Sequence, residues 1–321
     1  MYKKTFSVFI SILLAGYIFS TKLHAEASRA NETSNGTVSE TGKTGMSFLA
    51  VIPSARTASL GGMASALPIG ASSVWSNPSL IALQSERSAQ FTHTEWIDGI
   101  KQDYAAVSTP SRVGHFGLAF RIFDSGDIEL RDNVPSPNPL GTYSIKNVSL
   151  SMTYARSITE KIAAGITFKK LFEKISDENA GGYAFDGGII METPLKNVSV
   201  SAVARNYGRM GKLKNERTKL PSDLAVGTRY SGVVDGLVQS YSVLADVVVP
   251  RYGDSGVRLG VEVEPTDRLF LRMGYRSDSD IETVSFGLGF SIDRVIGDIS
   301  YTPMTEGFDS ALRFMLSISG F

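Results

Sequence analysis

The feature that most constrains the fold is a set of segments in which apolar residues occupy every second position. The clearest is 283–292, TVSFGLGFSI, where apolar side chains fill the even positions and Thr, Ser or Gly the odd ones. The same period of two recurs at 115–122, 147–154, 162–169, 257–264 and 312–319. Because successive side chains of a β-strand point to opposite faces, each segment predicts a strand with one large apolar face and one small or polar face.

The residues on the second face distinguish a soluble sandwich from a membrane barrel. Gly, Ser, Arg, Glu and Lys occur there together, which a water-filled lumen tolerates, while the first face keeps the unbroken apolar band that lipid requires. After the N-terminal region, no stretch approaches the roughly 18 apolar residues of a transmembrane helix, and otherwise only a closed barrel satisfies its backbone in lipid. The pattern predicts an all-β fold, a transmembrane antiparallel β-barrel. The candidates to face its lumen are His115, Arg121, Arg258 and Glu262.

About fourteen strands are predicted within residues 86–321, and an even number is expected of a single-chain bacterial barrel. They cover 87–97, 101–109, 112–123, 144–157, 160–173, 181–193, 196–206, 221–231, 236–249, 255–264, 267–276, 282–292, 295–302 and 310–321. Even-numbered connections are short, whereas the two longest, 124–143 and 207–220, are odd-numbered. We therefore expect short turns and both chain termini on the periplasmic side, with the long loops outside.

The first 27 residues are typical of a secretory signal peptide. Two lysines precede an apolar run at 5–20, and Ala25-Glu26-Ala27 is an A-x-A site, so cleavage is expected after Ala27 and, as the second choice, after Ala25. An uncleaved anchor is the alternative. No Cys follows the apolar run, which excludes a lipoprotein. Residues 28–44 are polar and are predicted to form a disordered leader.

Residues 45–85 differ from both the leader and the strands, and we predict that they plug the lumen. They are rich in Ala, Ser and Gly, show little alternation, and allow only short helices at 55–67 and 79–83. Such helices are not stable alone in water, so the segment needs a surface to pack against. Asn-Pro in this segment is typical of a turn. The candidate plug or gate residues are Arg56, Gly61, Gly62, Asn77 and Pro78.

The composition favours neither an enzyme nor a nucleic-acid-binding protein. The 32 basic and 32 acidic residues give a formal net charge of zero, without the basic excess typical of nucleic-acid binding. His115 could act as a general base, but no Ser or Asp can be assigned to it, and a polar lumen residue is the favoured interpretation. Asp278-Ser279-Asp280 could bind a cation, although a solvated loop tip is favoured. We therefore predict no catalytic residue, no metal site and no cofactor.

Residues 48–83 resemble the N-terminal signature of the PorV/PorQ family, a branch of the FadL-like outer-membrane barrels. The matching elements are Ala55-Arg56, a glycine-rich turn at 60–64 (LGGMA) and 77–80 (NPSL), in which Ser79 replaces the usual Ala. The similarity continues over nearly all of the remaining chain, at 93–96 (HTEW), 154–156 (YAR), 274–276 (GYR) and 301–303 (YTP). It implies a fourteen-stranded barrel with an N-terminal segment in its lumen and no enzymatic activity.

The resemblance leaves two functions open. FadL relatives pass hydrophobic compounds through the outer membrane, which implies a passive channel or binding barrel for hydrophobic small molecules, with the N-terminal segment as plug or gate. PorV and PorQ relatives serve type IX secretion, which implies a non-transporting barrel that binds cargo or partner proteins. The modest outer loops favour the first function. Both imply the outer membrane of a Gram-negative-type bacterium.

The end of the chain resembles the insertion signal of bacterial barrels. Residues 311–321 (ALRFMLSISGF) alternate and finish on Phe321, which we predict to be recognised by the barrel-assembly machinery. That machinery and outer-membrane lipid are the expected partners. Phe321 is out of phase with the apolar face of this strand, and a β-bulge near Gly320 would restore the phase.

Overall fold

The computed structural model describes residues 44–133, 137–234, 238–305 and 307–321. The predicted signal peptide and residues 28–43 of the predicted leader lie outside the described residues. The strands are β1 Ser88–Glu95, β2 Lys101–Ser111, β3 Gly114–Asp124, β4 Ile128–Leu130, β5 Gly141–Tyr143, β6 Ile145–Ser157, β7 Ile162–Ile175, β8 Glu178–Glu192, β9 Val198–Met210, β10 Lys212–Leu213, β11 Glu216–Arg217, β12 Asp223–Val234, β13 Val238–Pro250, β14 Gly256–Thr266, β15 Leu269–Arg276, β16 Val284–Ile292, β17 Val295–Thr302 and β18 Ala311–Ser319.

Fourteen of these strands close into one antiparallel barrel, which confirms the predicted fold class. They are β1 to β3, β6 to β9 and β12 to β18; each pairs with its neighbour in this order, and β18 returns to pair with β1. Each predicted strand boundary lies within about four residues of the observed one. The remaining strands form two small hairpins, β4 with β5 and β10 with β11, inside connections that were predicted to be plain loops.

The wall has an apolar outer face and a buried polar inner face. On β16, Phe286, Leu288 and Phe290 are 44 to 48% exposed, whereas Ser285 is buried on the inner side. The same outward exposure is found around the barrel, at Leu118, Phe120, Leu150, Met152, Phe168, Leu259, Leu271, Ile299, Phe314 and Leu316. A continuous apolar band of this kind is unfavourable in water and is accommodated by the hydrocarbon core of a bilayer.

Short helices precede the barrel. Two one-turn α-helices, Ala55–Ala58 and Ser73–Ser76, are accompanied by the 3₁₀ turns Ser47–Leu49, Gly70–Ser72 and Pro78–Leu83. The predicted helix at 55–67 ends early because two successive glycines, at 61 and 62, adopt positive φ angles of 70° and 81°. No helix in the described part of the chain is long and apolar enough to cross a membrane.

The two ends of the barrel differ in the length of their connections. One end, here called the turn end, carries the connections 112–113, 158–161, 193–197, 267–268 and 293–294. The other, here called the loop end, carries 96–100, 125–144, 176–177, 211–222, 251–255, 277–283 and 303–310. In bacterial barrels the short turns are periplasmic and the longer loops are extracellular.

Candidate functional site

The candidate site is the lumen, which contains residues 44–83, here called the N-terminal segment. Pro78–Leu83 packs against β6, β7 and β8, Ala55–Ala58 packs against β16, β17 and β18, and Gly70–Ser72 packs against β1 and β2. Contacts with strands on opposite sides of the barrel place the segment inside the wall. Its apolar residues, such as Leu60 and Val74, are fully buried.

The N-terminal segment runs from the loop end to the turn end. The Gly45 amide donates to the Lys219 carbonyl oxygen (3.0 Å) in the loop-end connection 211–222. After the segment, the Gln84 carbonyl oxygen lies 2.9 Å from His115 Nε2, beside the turn-end connection 112–113. The chain therefore crosses the lumen once before β1 begins, and Thr44, the first described residue, lies at the loop end. The expected periplasmic position of the N-terminus falls outside the described residues and stays a prediction.

Asn77 and Pro78 form the predicted turn. Asn77 Oδ1 accepts hydrogen bonds from the Ser79 amide (3.1 Å) and hydroxyl (2.7 Å), and Nδ2 donates to the Ser65 carbonyl oxygen (2.7 Å). Pro78 follows as the first residue of the next helical turn, where its fixed φ is favourable. The wall meets this turn with Gly188, at which a Cβ atom would overlap Asn77 Oδ1. The turn therefore packs against the backbone of the wall.

Gly61 and Gly62 make the second close approach. The Gly61 amide donates to Ser285 Oγ (3.0 Å), and the Gly62 carbonyl oxygen accepts from Arg258 Nη1 (3.0 Å). A Cβ atom on Gly274 of the wall would overlap Gly61 N. Glycine is required here for the left-handed backbone and for the direct contact between the segment and the wall.

Arg56 belongs to a charged network on the inner wall. Its guanidinium binds Glu262 through two hydrogen bonds, Nε to Oε2 (2.8 Å) and Nη2 to Oε1 (2.6 Å). Glu262 also accepts from Arg272 Nε (2.5 Å), and Arg272 Nη1 donates to Asp298 Oδ1 (2.5 Å). Two arginines alternate with two carboxylates, so the buried charges are paired, as burial requires. Two predicted residues, Arg56 and Glu262, are thus in direct contact.

A second network of ion pairs lies at the loop end of the barrel. Asp278 binds Arg258 (Nη2 to Oδ2, 2.6 Å) and Arg276 (Nη2 to Oδ2, 3.0 Å), and Arg276 Nη1 reaches Glu282 Oε2 (3.2 Å). Burial alone would raise the pKa of Asp278, but the two guanidinium groups outweigh it and hold that pKa well below its usual range. Asp278, expected to be a solvated loop residue or a cation ligand, is an ion-pair partner of the predicted lumen residue Arg258.

Four wall arginines bind backbone carbonyl groups of the N-terminal segment. The pairs are Arg121 with Val51, Arg313 with Ile52 (3.2 Å), Arg258 with Gly62 (3.0 Å) and Arg205 with Ser76 (3.4 Å). Sequence reasoning assigned no role to Arg205 and Arg313. The available signal was an arginine on the polar face of an alternating strand, flanked by apolar residues that point outward.

Neither histidine outside the predicted signal peptide is part of a catalytic arrangement among the described residues. His115 Nε2 contacts the carbonyl oxygen of Gln84, which follows the N-terminal segment, and no side-chain partner of its ring lies within the described part of the chain. His93 is on the outer side of β1, where Nδ1 lies 2.7 Å from Asp103 Oδ1. His115 is therefore a polar inner residue that contacts the backbone between the N-terminal segment and β1.

Phe321 lies beyond β18 and is exposed. Gly320 before it has the left-handed φ of 71° that was expected of a bulge, although it follows the end of the strand, and its amide donates to the Arg87 carbonyl oxygen (2.9 Å). Recognition of Phe321 by the assembly machinery remains a prediction.

No protein-family model and no curated protein matches this sequence. Among solved structures, the toluene transporter TbuX of Ralstonia pickettii matches with a TM-score of 0.57 and 11% identity over 82% of this chain and 97% of that chain. The toluene transporter TodX of Pseudomonas putida matches with a TM-score of 0.58 and 11% identity over 82% and 96% of the two chains. A FadL homologue of Pseudomonas aeruginosa matches at 0.53 and 12% over 82% and 97%.

At such low identity the likeness establishes the fold. The chain is a closed fourteen-stranded β-barrel of the type found in the outer membrane of Gram-negative bacteria, with the architecture of the FadL homologue and the two toluene transporters. The expected localisation in the outer membrane agrees with this fold and with the apolar outer face.

Proposed function

We propose that the barrel is a passive channel or binding barrel for hydrophobic small molecules, gated by the N-terminal segment. The supporting observation is an apolar cluster at the loop end. Phe48 and Leu49 of the segment are buried there against Phe123, Leu171 and other wall residues. Displacement of these segment residues would leave an apolar site facing the loop end, of the kind that binds apolar ligands. The fold shared with two toluene transporters supports this ligand class.

The part of the N-terminal segment at the loop end, residues 44–49, is the part best suited to movement. Residues 54–79 are bound by several charged side chains of the wall, whereas 44–49 pack mainly against apolar wall residues. Their polar contacts are the hydrogen bond from the Gly45 amide to the Lys219 carbonyl oxygen, one from the Met46 amide to Glu173, and Arg121 over the Phe48 ring. Met46 also has a left-handed φ of 51°, which is unfavourable for a residue with a long side chain. Fewer polar contacts and a strained backbone lower the cost of opening this end.

A disulfide lock tests the gate. A Cβ atom at Gly45 would lie 3.4 Å from Thr218 Cβ, close to the spacing of a disulfide, and the chain contains no Cys that could compete. We expect the oxidised Gly45→Cys/Thr218→Cys variant to lose uptake of labelled toluene by cells with an intact outer membrane, and reduction to restore it. The two single variants are the controls.

Two results would count against this function. Equal toluene uptake by the oxidised and the reduced double variant, with the disulfide verified, would refute the gating role of the N-terminal segment. Toluene uptake no higher than that of cells lacking the barrel would refute the channel function.

A second candidate is a non-transporting barrel that binds secreted or partner proteins, as the PorV/PorQ resemblance implies. The observation that favours it is the paired charge on the inner wall, which fixes the N-terminal segment in place and fills the lumen around Arg56 and Arg258. Co-purification of a secreted protein after crosslinking in cells that carry type IX secretion, together with absent toluene uptake, would favour this candidate over the channel.

A further inference from the structure

Of the six described cations of the inner wall that are at most 8% exposed, one lacks a carboxylate partner among the described residues. The other fully buried cations each lie within 4.0 Å of a carboxylate oxygen; they are Lys169, Arg205, Arg258, Arg272 and Arg313. Among the described residues, no carboxylate lies within that distance of Arg121, which is 3% exposed. A buried charge without an opposite charge is strongly unfavourable.

The contacts of Arg121 do not neutralise it. Its Nε donates to Gln102 Oε1 (2.9 Å), its Nη2 donates to the Val51 carbonyl oxygen, and its guanidinium lies 5.1 Å from the centre of the Phe48 ring. These are two neutral acceptors and an aromatic face. Arg313 binds the next carbonyl of the segment and is a second positive charge nearby, although it is paired with Glu282 at 3.7 Å.

Within the described part of the chain, three donors on adjacent strands have no hydrogen-bond partner. They are Arg121 Nη1, Gln102 Nε2 and the Tyr104 hydroxyl, all on residues at most 3% exposed. Tyr104 is directly opposite Arg121 in the β2–β3 register, and Gln102 is the next residue on the same inner face of β2. Three neighbouring donors without partners, together with one uncompensated positive charge, are suited to binding an anion.

We propose that Arg121, Gln102 and Tyr104 bind a small monovalent anion of the halide class in the loop half of the lumen. All three side chains are at most 3% exposed, and a single positive charge is left without a partner, so a small monovalent ion is favoured over a larger dianion such as sulfate. The anion neutralises Arg121, which in turn holds the backbone at Val51. The concentration of halide thereby sets how firmly the loop-end part of the N-terminal segment is held.

Thermal unfolding in neutral detergent tests this site. Chloride is compared with gluconate at constant ionic strength, so that general screening is equal. We expect the Tm to rise by about a few degrees over a hundredfold increase in chloride and then to saturate, as for a ligand that binds only the folded state. Arg121→Met removes the dependence, whereas Arg156→Met, at an exposed arginine, keeps it.

A second measurement does not depend on a variant that folds. Crystals of the unaltered protein grown in bromide should show an anomalous peak within hydrogen-bond distance of Arg121 Nη1 and the Tyr104 hydroxyl. Equal Tm values in chloride and gluconate, or density for water alone at this position, would overturn the proposal.

Discussion

Arginine substitutions at two depths of β16 test the membrane assignment. Leu288 is the central residue of the strand and is 48% exposed on the outer face, where it lies opposite Leu271 and Ile299. Ile292 is on the same face, four positions towards the turn end, and is 60% exposed. At a rise of about 3.4 Å per residue and a tilt of about 40°, the two side chains differ in depth by roughly 10 Å.

This depth difference sets the expected magnitudes. Arginine near the bilayer midplane costs about 2–4 kcal/mol, and arginine near the interface costs about 0–1 kcal/mol. We therefore expect Leu288→Arg to lower the free energy of unfolding by about 1–4 kcal/mol more than Ile292→Arg does. In a soluble barrel both side chains would be exposed to water, and neither substitution would cost much.

The assay is equilibrium unfolding by denaturant in lipid vesicles, followed by tryptophan fluorescence and by the mobility of unheated samples on gels. Equal unfolding free energies for the two variants would refute the assignment of β16 to the bilayer. Ser285→Arg, which the alternation alone predicts to be mild in a roomy lumen, is not a suitable control. Ser285 accepts a hydrogen bond from the Gly61 amide and is 3% exposed, so an arginine there has no space.

Three further outcomes are expected. Gly274→Ala should displace the N-terminal segment and increase proteolysis within 45–83, while the barrel keeps its gel mobility. The control is Gly297→Ala, where a Cβ atom meets nothing within 4 Å, and equal cleavage of the two variants would contradict the contact. With an impermeant maleimide, Thr44→Cys should label on intact cells and Asp293→Cys only after permeabilisation, and the reverse pattern would invert the orientation. Asp278→Asn should lower the free energy of unfolding by about 3 kcal/mol at pH 7. Because the pKa of Asp278 is depressed in the folded state, the difference in unfolding free energy between wild type and variant should narrow as the pH falls below about 4. A difference that does not change with pH would contradict this role of Asp278.

The wall was predictable because its signal is local. Each strand carries its own alternation, and a slip of one residue would turn every apolar side chain inward, so the pattern at 283–292 determines both the strand and its faces. The count of fourteen followed from the same pattern. The small hairpin β10–β11 was missed because two-residue strands are too short to show a period.

The contents of the lumen were less predictable because their partners are distant in sequence. Arg56 and Glu262 were both candidates, but their ion pair joins residues 206 positions apart, and no local pattern encodes it. The direction of the N-terminal segment could not be predicted for the same reason. The lack of alternation in the segment indicates that it must pack against a surface. Only contacts with the surrounding wall determine which end of the segment lies at the loop end of the barrel.

The wall contacts divide the N-terminal segment into two parts with different mechanical roles. Around Arg56 and Ser65 the segment is bound to buried carboxylates, the latter by a hydrogen bond from Oγ to Asp246 Oδ1 (2.7 Å). Withdrawal of this part would leave buried charges and polar groups without partners, at a cost of several kcal/mol. The part before Val51 has mainly apolar contacts, at Phe48 and Leu49, and a hydrophobic ligand could replace these. The proposed gate is therefore a local exchange at the loop end, in which the ligand takes the place of Phe48 and Leu49 while the rest of the segment stays bound.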